Sequence, residues 1–564
     1  MSSWLVPVGL ALLLCTASLK AQEGFRRGKI KKIDLEHRIL SLAVDGKDEE
    51  FQLAEDARIL GASGKNLRER LQGIKEGAEI FFKATKRDGR SIVVALKPVI
   101  GSYGATLAPK MPVGAVVVPA EDGALAKAIS SHGTDTVFYL KAGIHTGNGE
   151  MRPKAGSVFV GETGAILDGG NATAKCFIHD VGVIPYKASA PRYVVTLRNL
   201  VVRNYSSADQ ECAVMIHDSG QGWPRALSDP ADRNGWLLEH CTFTSNRAGG
   251  AYLGSASTAR GCLFADNGQI GVKACGRNVQ LLACRSTRNN VARKFNYMWE
   301  AGGTKFWGVK DMLVDGGEYD HNGGFGLWFD YVWDGNVVKN VSFHHNLRPG
   351  LSIEMAAGVE VTGCTFSRDD LDGLSGEIPL AFRPWDKSPK SGPDLWSGEI
   401  MLFNPCAAGT YVDPVTKVSY SFSSKTWIHG NTIVDGGGGI LCQYQDRGGI
   451  DPTHQGQGSE NGPVAGLVGI VVEDNTIACN AGRAATVTTL PNRDYKDASG
   501  SWGPIPATQA EAQCQGPLFR LNRYSGSVMF RVPKAAVAGG STNIWEWNDR
   551  ADIDLAKWRS LGKL

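Results

Sequence analysis

The sequence lacks three features that mark large classes of protein: long apolar runs, an excess of one charge, and paired metal-ligand spacings. Its 60 Lys and Arg residues face 57 Asp and Glu residues, so the net charge is only +3 and no basic stripe points to nucleic acid. Beyond the first residues, no stretch is apolar for long enough to span a bilayer. Neither C-x-x-C nor H-x-x-x-H spacing occurs, which argues against the common zinc sites.

The amino-terminal residues have the pattern of a secretory signal. Residues 5–14 form a short apolar run, and small residues follow up to Ala21. The segment before the run has no Lys or Arg, which departs from the usual signal peptide. Cys15 follows Leu14 rather than a small residue, so a lipoprotein anchor is the weaker interpretation. We predict a signal peptide over residues 1–21 and a secreted protein, extracellular or periplasmic.

Glycine is abundant, with 70 residues, and it opens a phrase that recurs along the chain. The copies cover residues 303–307, 326–330 and 350–354, and the last two are 24 residues apart. Their second and fourth positions are mostly apolar while the third and fifth are polar or aromatic, as in a half-buried strand. A fixed period in the twenties with one strand per copy predicts a solenoid.

Asparagine and cysteine follow the same period. An asparagine at a turn can adopt left-handed backbone angles and hydrogen-bond neighbouring backbone, so we expect a structural column formed by Asn204, Asn246, Asn267, Asn289, Asn322 and Asn346. Of the 12 cysteines, Cys15 lies in the predicted signal peptide, which leaves an odd number. The repeat positions of Cys241, Cys262, Cys284 and Cys364 favour small buried side chains over disulfides or metal ligands.

Residues 24–98 have a different sequence pattern from the rest of the chain, without its repeated phrase. Short alternating strands are separated by the hairpin turns at 45–47 and 87–89, and one capped helix begins after Ser63. We predict a small β-barrel, which resembles the short barrels attached to many secreted bacterial proteins. Its basic residues near the start are interpreted as a solvated strand edge rather than a ligand site.

A connector over residues 99–113 leads to an amphipathic helix over 120–129 and then to strands separated by glycine. This entrance resembles that of right-handed parallel β-helix proteins of the pectin-lyase-like class. The resemblance implies an all-β solenoid, here 114–515, closed by a carboxyl-terminal cap at 516–564. Leucine-rich repeats are the competing fold, but the L-x-x-L-x-L phrase that they require is missing. Interruptions at 216–236, 383–430 and 444–465 are predicted to be loops beside a cleft.

Aligning the repeated phrase predicts two outward columns on one wall of the solenoid. Neighbouring strands are ~4.8 Å apart, so the columns should form one patch. The first column contains Tyr252, Lys273, Lys305, Trp328 and Ser352, and the second contains Gly254, Cys275, Trp307, Asp330 and Glu354. Trp299 and Glu300 precede the first copy, while His217 and Arg383 would join from an earlier and a later coil. Indole rings suit the flat faces of sugars, although a loop packed over them is the plain alternative.

Two reactions suit this patch. In β-elimination of a uronate, Lys305 or Arg383 would be the base, and similarity to pectate-lyase-like enzymes implies calcium held by Asp330 and Glu354. In glycoside hydrolysis, Asp330 and Glu354 would instead be the paired carboxyl groups. Tyr252, Lys273, Trp299, Glu300, Trp307 and Trp328 would bind the sugar in either case.

The sequence therefore predicts a secreted, monomeric protein that acts on a polysaccharide, with β-elimination favoured because Lys273 and Lys305 suit an anionic substrate. Glycoside hydrolysis, simple glycan binding and a structural rod remain open. The G-H-G and R-I-K phrases of polygalacturonases and the Asp-Pro-His phrase of alginate epimerases are missing. The acids from Asp369 to Asp372 and the pair His344-His345 are interpreted as turn residues.

Overall fold

The structure is a computed structural model, and the chain divides into two compact units, Met1–Gly101 and Ser102–Leu564. Among the residues that the structure describes, no helix has the length and apolar character needed to cross a membrane. Those residues are 26–44, 47–59, 67–71, 76, 79–87, 89–98, 103–179, 193–216, 235–297, 300–356, 358–369, 398–403, 408–412, 419–423, 425–434, 438–445, 469–478, 483–490, 517–526, 529–533 and 550–561. The predicted signal peptide lies outside them.

The first unit is a closed five-stranded barrel around its own apolar core. Its elements are β1 (Arg26–Asp34), β2 (Ile39–Val44), β3 (Lys47–Ile59), α1 (Leu67–Leu71), β4 (Glu79–Arg87) and β5 (Arg90–Pro98). The strand order is β1-β2-β3-β5-β4, with β4 closing onto β1 and only the β3–β5 pair parallel. Alternation in β2 places Leu40, Leu42 and Val44 in the core. The small barrel that the sequence predicts is therefore confirmed.

The second unit is a solenoid of short strands. It begins with β6 (Val116–Val118), α2 (Ala124–Ser131), β7 (Val137–Leu140), β8 (Gly143–His145), β9 (Ser157–Gly161), β10 (Ala165–Asp168), β11 (Phe177–Ile178), β12 (Tyr193–Arg198), β13 (Val201–Arg203), β14 (Cys212–Met215), β15 (Gly235–Glu239), β16 (Thr242–Thr244), β17 (Gly249–Leu253), β18 (Thr258–Arg260), β19 (Leu263–Ala265), β20 (Ile270–Arg277) and β21 (Gln280–Thr287). It continues with β22 (Gly302–Lys310), β23 (Leu313–Asp320), β24 (Phe325–Val332), β25 (Asn336–Lys339), β26 (Ser342–His344), β27 (Leu351–Ala356), β28 (Val359–Thr362), β29 (Thr365–Ser367) and β30 (Ile400–Phe403). The last elements are β31 (Ala408–Val412), β32 (Ser419–Ser423), β33 (Thr426–His429), β34 (Thr432–Val434), β35 (Ile440–Gln445), β36 (Ile470–Glu473), β37 (Thr476–Ala478), β38 (Arg483–Leu490), β39 (Leu518–Arg520), β40 (Arg523–Ser525), β41 (Met529–Pro533), β42 (Arg550–Asp554) and α3 (Leu555–Ser560).

The coils stack strand on strand as a right-handed parallel β-helix, as the sequence predicts. Each complete coil contributes two short stretches to a 23-stranded sheet and one strand to a 12-stranded sheet. We call the successive stretches wall 1 (for example β15, β18 and β25), wall 2 (β16, β19 and β26) and wall 3 (β17, β20, β22, β24, β27 and β30). Parallel pairing between equivalent strands fixes the register of every wall.

The two ends differ from the predicted boundaries. Strands β39, β40 and β41 still pair with β36, β37 and β38 as one more coil, so the solenoid extends beyond 515. The closing elements are β42, which runs antiparallel to β41, and α3, whose Trp558 stacks on Phe530. Part of the predicted connector packs along the coils, because the backbone N–H of Ala105 donates to Thr242 and that of Leu107 to Asn199.

A buried asparagine ladder holds the corner between walls 2 and 3. The side-chain amides of the first four members each donate to the side-chain oxygen of the next asparagine and to a backbone carbonyl, which satisfies polar groups that would otherwise be unpaired in the interior. The members are Asn246, Asn267, Asn289, Asn322 and Asn346. Asn204 is not one of them, since its amide donates to Asp168 instead.

The left-handed positions of this corner precede the ladder. They are occupied by Ser245, Asp266, Arg288, His321 and His345, with φ of 50–60°. The prediction of left-handed angles is therefore wrong for the five ladder asparagines, but Asn204 has the predicted angle, with φ of 58°. The prediction of a hydrogen-bonding column is confirmed. The cysteine prediction also holds, because Cys241, Cys262, Cys284 and Cys364 are free and buried.

The ladder ends at Asp369 instead of another asparagine. Asn346 donates both its backbone and its side-chain N–H to Asp369 Oδ1, at 2.9 and 2.8 Å, and the Asp369 backbone N–H donates to Glu399. Burial raises the pKa of Asp369 to about 7, because its charged form is desolvated, although hydrogen bonds from its neighbours oppose the rise. The expected turn of exposed acids is therefore corrected at Asp369, which is completely buried.

We expect Asp369→Asn to stabilise the protein at alkaline pH. The folded-state pKa is raised, so the stability that protonated Asp369 provides is complete below about pH 4 and is lost as pH rises towards about 7. An asparagine cannot ionise and would continue the ladder. Urea unfolding should give the variant about 1–2 kcal/mol more stability than the wild type at pH 8 and no gain at pH 4. An equal difference at both pH values would contradict the assignment.

Candidate functional site

The predicted columns lie side by side on the outer face of wall 3. In β22, β24 and β27 the alternate residues Phe306, Phe329 and Ile353 enter the core, so the residues between them project outwards. The first column is in register throughout its length: Tyr252, Lys273, Lys305, Trp328 and Ser352. The second is in register at Trp307, Asp330 and Glu354.

The earlier part of the second column is displaced. The β20–β22 pairing shifts between Ala274 and Gly276, so Cys275 does not align with Trp307 as the sequence predicts. Cys275 is instead buried with Cys212, Met215 and Tyr252 in a small apolar cluster. The aligned part of the second column therefore begins at Trp307.

Lys305 and Asp330 form the central ion pair of the patch. Lys305 Nζ lies 2.7 Å from Asp330 Oδ2, and it also sits 3.1 Å from the centre of the Trp328 ring. The Lys305 side chain is 1% exposed and that of Asp330 is 15% exposed. Asp330 Oδ1 is withdrawn from solvent and has no hydrogen-bond partner among the described residues. An unpaired buried carboxylate oxygen is costly, and such atoms occur where a ligand or water completes the site.

Trp328 and Glu354 form a second pair beside the first. The indole Nε1–H of Trp328 donates to Glu354 Oε2 at 2.9 Å, and Glu354 is only 3% exposed. Trp328 lies in an apolar cluster that includes Tyr297 and Leu347. Tyr297 belongs to the segment between β21 and β22, so other parts of the chain do pack over this indole, which is the plain alternative that the sequence leaves open.

Lys273 and Glu300 form a third pair. The Lys273 ammonium donates to Glu300, and it also reaches the backbone oxygen and Oε1 of Gln210 at 3.2 Å. Burial raises the pKa of the Glu300 carboxyl, but the charges of Lys273 and Lys305 outweigh this and lower it overall. Glu300 therefore stays ionised, and both lysines have carboxylate partners.

The expectation of an open groove across both columns needs correction. Tyr252, Lys273, Lys305, Trp328 and Glu354 are all buried, although they project away from the core. The partly exposed members are Asp330, Trp307 and Glu300, with Asp330 at 15% and Glu300 at 23%. The accessible part of the patch is thus narrower than the sequence predicts and is centred on Asp330.

Some predicted site residues lie outside the part of the chain that the structure describes, and some residues that contact the site were not predicted from the sequence. Arg383, Trp299 and His217 lie outside the described residues. Gln210 and Tyr297 were missed from the sequence because they belong to no repeated phrase, and no local signal brings them to wall 3. Asp330 and Glu354, the predicted calcium ligands, have Lys305 and Trp328 as their partners, so each carboxylate already has a donor at one oxygen.

Comparison with known proteins agrees with the architecture. A family model described as "Right handed beta helix region" matches residues 231–375. Among solved structures, the chain shows similarity to the A-module of Mannuronan C-5 epimerase AlgE6 from Azotobacter vinelandii, with 13% identity and a TM-score of 0.34 over 74% of this chain and 97% of that one. Another is the GH87 alpha-1,3-glucanase of Streptomyces thermodiastaticus, with 10% identity and a TM-score of 0.27 over 89% and 86%. No curated protein sequence matches the chain.

Proposed function

We propose that this protein is a secreted carbohydrate-active enzyme, a polysaccharide lyase that cleaves a uronate-containing glycan by β-elimination. The observation that supports the proposal is the Lys305–Asp330 pair, in which a buried ammonium holds a carboxylate whose side chain is still 15% exposed on wall 3. Secretion follows from the signal peptide predicted over residues 1–21.

Asp330 is the base in this proposal. Its Oδ2 accepts a hydrogen bond from the Lys305 ammonium, which positions the carboxylate, and an aspartate carboxylate can act as a general base. Asp330 removes the proton α to the uronate carboxylate, a double bond forms between that carbon and its neighbour, and the glycosidic C–O bond breaks. The leaving oxygen takes a proton from water. Lys305, which is buried behind Asp330, is a positioning residue rather than the base expected from sequence.

Hydrolysis suits the same residues less well. A glycosidase needs one carboxyl group that remains protonated at the working pH, usually because its pKa is raised. The pKa of Glu300 is lowered, and Glu354 is buried with its carboxylate bound to Trp328. Elimination needs one base and no carboxyl group of raised pKa, and Asp330 is placed to be that base.

Trp307 is the proposed sugar platform. It pairs with Asp330 on the adjacent strand, so its partly exposed indole lies beside the carboxylate on the same face of wall 3. Aromatic rings match the apolar faces of pyranose sugars, and a ring at this position would hold the sugar against the base.

The calcium ion that the sequence resemblance implies is tested by experiment and has no role in the proposed mechanism. A cation at Asp330 would compete with the Lys305 ammonium, so we expect activity to persist after chelation. The test is a screen of the purified protein on pectate, alginate, glycosaminoglycans and neutral glycans, with calcium or with a chelator. A lyase produces unsaturated ends that absorb ultraviolet light, and a hydrolase produces reducing ends without that absorbance. Glycan binding without either product would show that the protein binds the glycan but does not cleave it, which would contradict the lyase proposal.

A further inference from the structure

A second group of reactive side chains lies at the corner between walls 2 and 3. Asp320 and His344 end β23 and β26 and are paired on adjacent coils. The residues that follow them, His321 and His345, both have left-handed backbone angles, with φ of 54° and 57°. Because these residues hold the same two positions on successive coils, three imidazoles are stacked at one corner.

The rings are close enough to share a ligand. His344 Nδ1 and His345 Nδ1 are 3.2 Å apart. The rings of His321 and His345 are parallel with centres 4.9 Å apart, and His344 stands nearly perpendicular to both. One candidate ligand atom from each of Asp320, His321 and His344 lies within 4.8 Å of the others.

Hydrogen bonds fix which nitrogen of the central ring is available. His344 Nε2 lies 2.7 Å from Glu318 Oε1, and a carboxylate only accepts, so Nε2 is the nitrogen that donates and Nδ1 is the nitrogen with the lone pair in the neutral ring. A histidine whose second nitrogen donates to a carboxylate is the usual arrangement of a metal ligand. The His344 side chain is 8% exposed, so this orientation is held by packing, whereas His321 is 53% exposed and leaves the site open.

We propose that His321, His344 and His345 form a site for a divalent transition-metal ion such as zinc, nickel or copper. Two nitrogen ligands of a tetrahedral zinc ion with Zn–N bonds of ~2.0–2.1 Å are ~3.3 Å apart, close to the 3.2 Å between the Nδ1 atoms of His344 and His345. Imidazole ligands suit zinc, copper and nickel, whereas calcium and magnesium prefer oxygen. This site is independent of the proposed lyase activity.

Asp320 and Arg285 belong to the support of the site rather than to its ligands. Arg285 donates to both oxygens of Asp320 at 2.8 and 2.9 Å, and Thr287 donates to Oδ2 at 2.9 Å. Asp320 Oδ2 also lies 2.7 Å from His321 Nδ1, so this carboxylate has little capacity left for a metal but can position the imidazole. Because Arg285 neutralises the carboxylates of Asp320 and Glu318, the site would select metal ions by coordination to imidazole nitrogen rather than by attraction to negative charge.

The experiment measures metal binding by the full-length secreted protein after treatment with a chelator and dialysis. Calorimetry with zinc should give one equivalent per chain, and thermal unfolding should shift to higher temperature with zinc or nickel but not with equal concentrations of calcium or magnesium. Cobalt(II) should give the visible absorption of a nitrogen-ligated ion. A wild-type protein that binds no zinc would overturn the proposal.

Variants separate a metal site from a structural histidine cluster. His344→Gln and His345→Gln should each weaken zinc binding at least tenfold. The control is His240→Gln, which changes a histidine that also has left-handed backbone angles but follows β15 of wall 1. Since His345 is only partly buried, its variant should fold even if the His344 variant does not, as circular dichroism can verify. Unchanged affinity in His345→Gln would contradict the assignment.

Discussion

Asp330→Asn should reduce the turnover of a uronate polysaccharide by a factor of about 10²–10⁴ while leaving the coil architecture intact. Asparagine has nearly the same shape as aspartate, but its amide cannot accept the substrate proton. Among the described residues of wall 3, Asp330 is the partly exposed carboxylate of the patch, whereas Glu354 is buried and bound to Trp328, so no neighbour is placed to replace Asp330. The measurement is the initial rate of formation of unsaturated product at saturating substrate.

The matched control is Asp315→Asn. Asp315 is also a lysine-paired aspartate, 3.3 Å from Lys339, but it lies on wall 1 of the same coils and outside the proposed site. Its variant should retain full activity. The role of Asp330 would be refuted by an Asp330→Asn protein that folds, binds substrate and turns it over at the wild-type rate.

Lys305→Met should lower the free energy of unfolding by about 3 kcal/mol. Methionine preserves much of the length of the buried stem but leaves Asp330 without its cation, and breaking a buried ion pair costs more than removing both charges. The contact of the ammonium with the Trp328 ring, 3.1 Å from its centre, is lost at the same time. Urea unfolding of the variant and the wild type gives the difference directly.

Two further variants show whether the effect comes from the buried charge. The double variant Lys305→Met, Asp330→Asn should recover part of the lost stability, because no ionised group then remains unpaired. Lys339→Met breaks an exposed pair with Asp315 and should cost less than about 1 kcal/mol. If Lys305→Met were as mild as Lys339→Met, the central ion pair would not hold the site together.

The register of wall 3 was predictable from sequence because the repeated phrase contains its own alignment. Each copy begins with glycine, as at Gly326 and Gly350, where an added side chain would strike the backbone or side chains of a neighbouring coil. With the copies aligned, alternation determines that Lys305 and Asp330 project outwards. One period of the repeat was therefore enough to predict which residues are paired between neighbouring strands of wall 3.

The burial of the site could not be predicted in the same way. A periodic pattern shows which side chains leave the core, but it does not show what covers them afterwards. Tyr297 and Gln210 reach wall 3 from segments outside the repeat, and they bring Trp328 and Lys273 out of solvent. The shifted pairing at Cys275 could not be predicted for a related reason, because a β-bulge changes which residues are aligned and leaves no mark in the residue pattern.

The left-handed corner illustrates a smaller error with a physical cause. Asparagine tolerates positive φ, so the repeated asparagines were natural candidates for those angles. In the structure they are needed inside, where Asn289 and Asn322 hydrogen-bond along the ladder, and the strain falls on the preceding residues. Burial of the amide therefore outweighed the backbone preference of asparagine. The left-handed positions before the ladder are occupied by other residue types, among them His321 and His345.

The most direct test of the central claim, that Asp330 on wall 3 drives β-elimination, is mass spectrometry of products formed in heavy-oxygen water. Elimination adds no water, so the account predicts unsaturated fragments without label from the wild type and from Asp315→Asn, and none from Asp330→Asn. A product mixture with no unsaturated fragments and with heavy oxygen at the new reducing ends would contradict it, because it would show that water attacks the glycosidic bond.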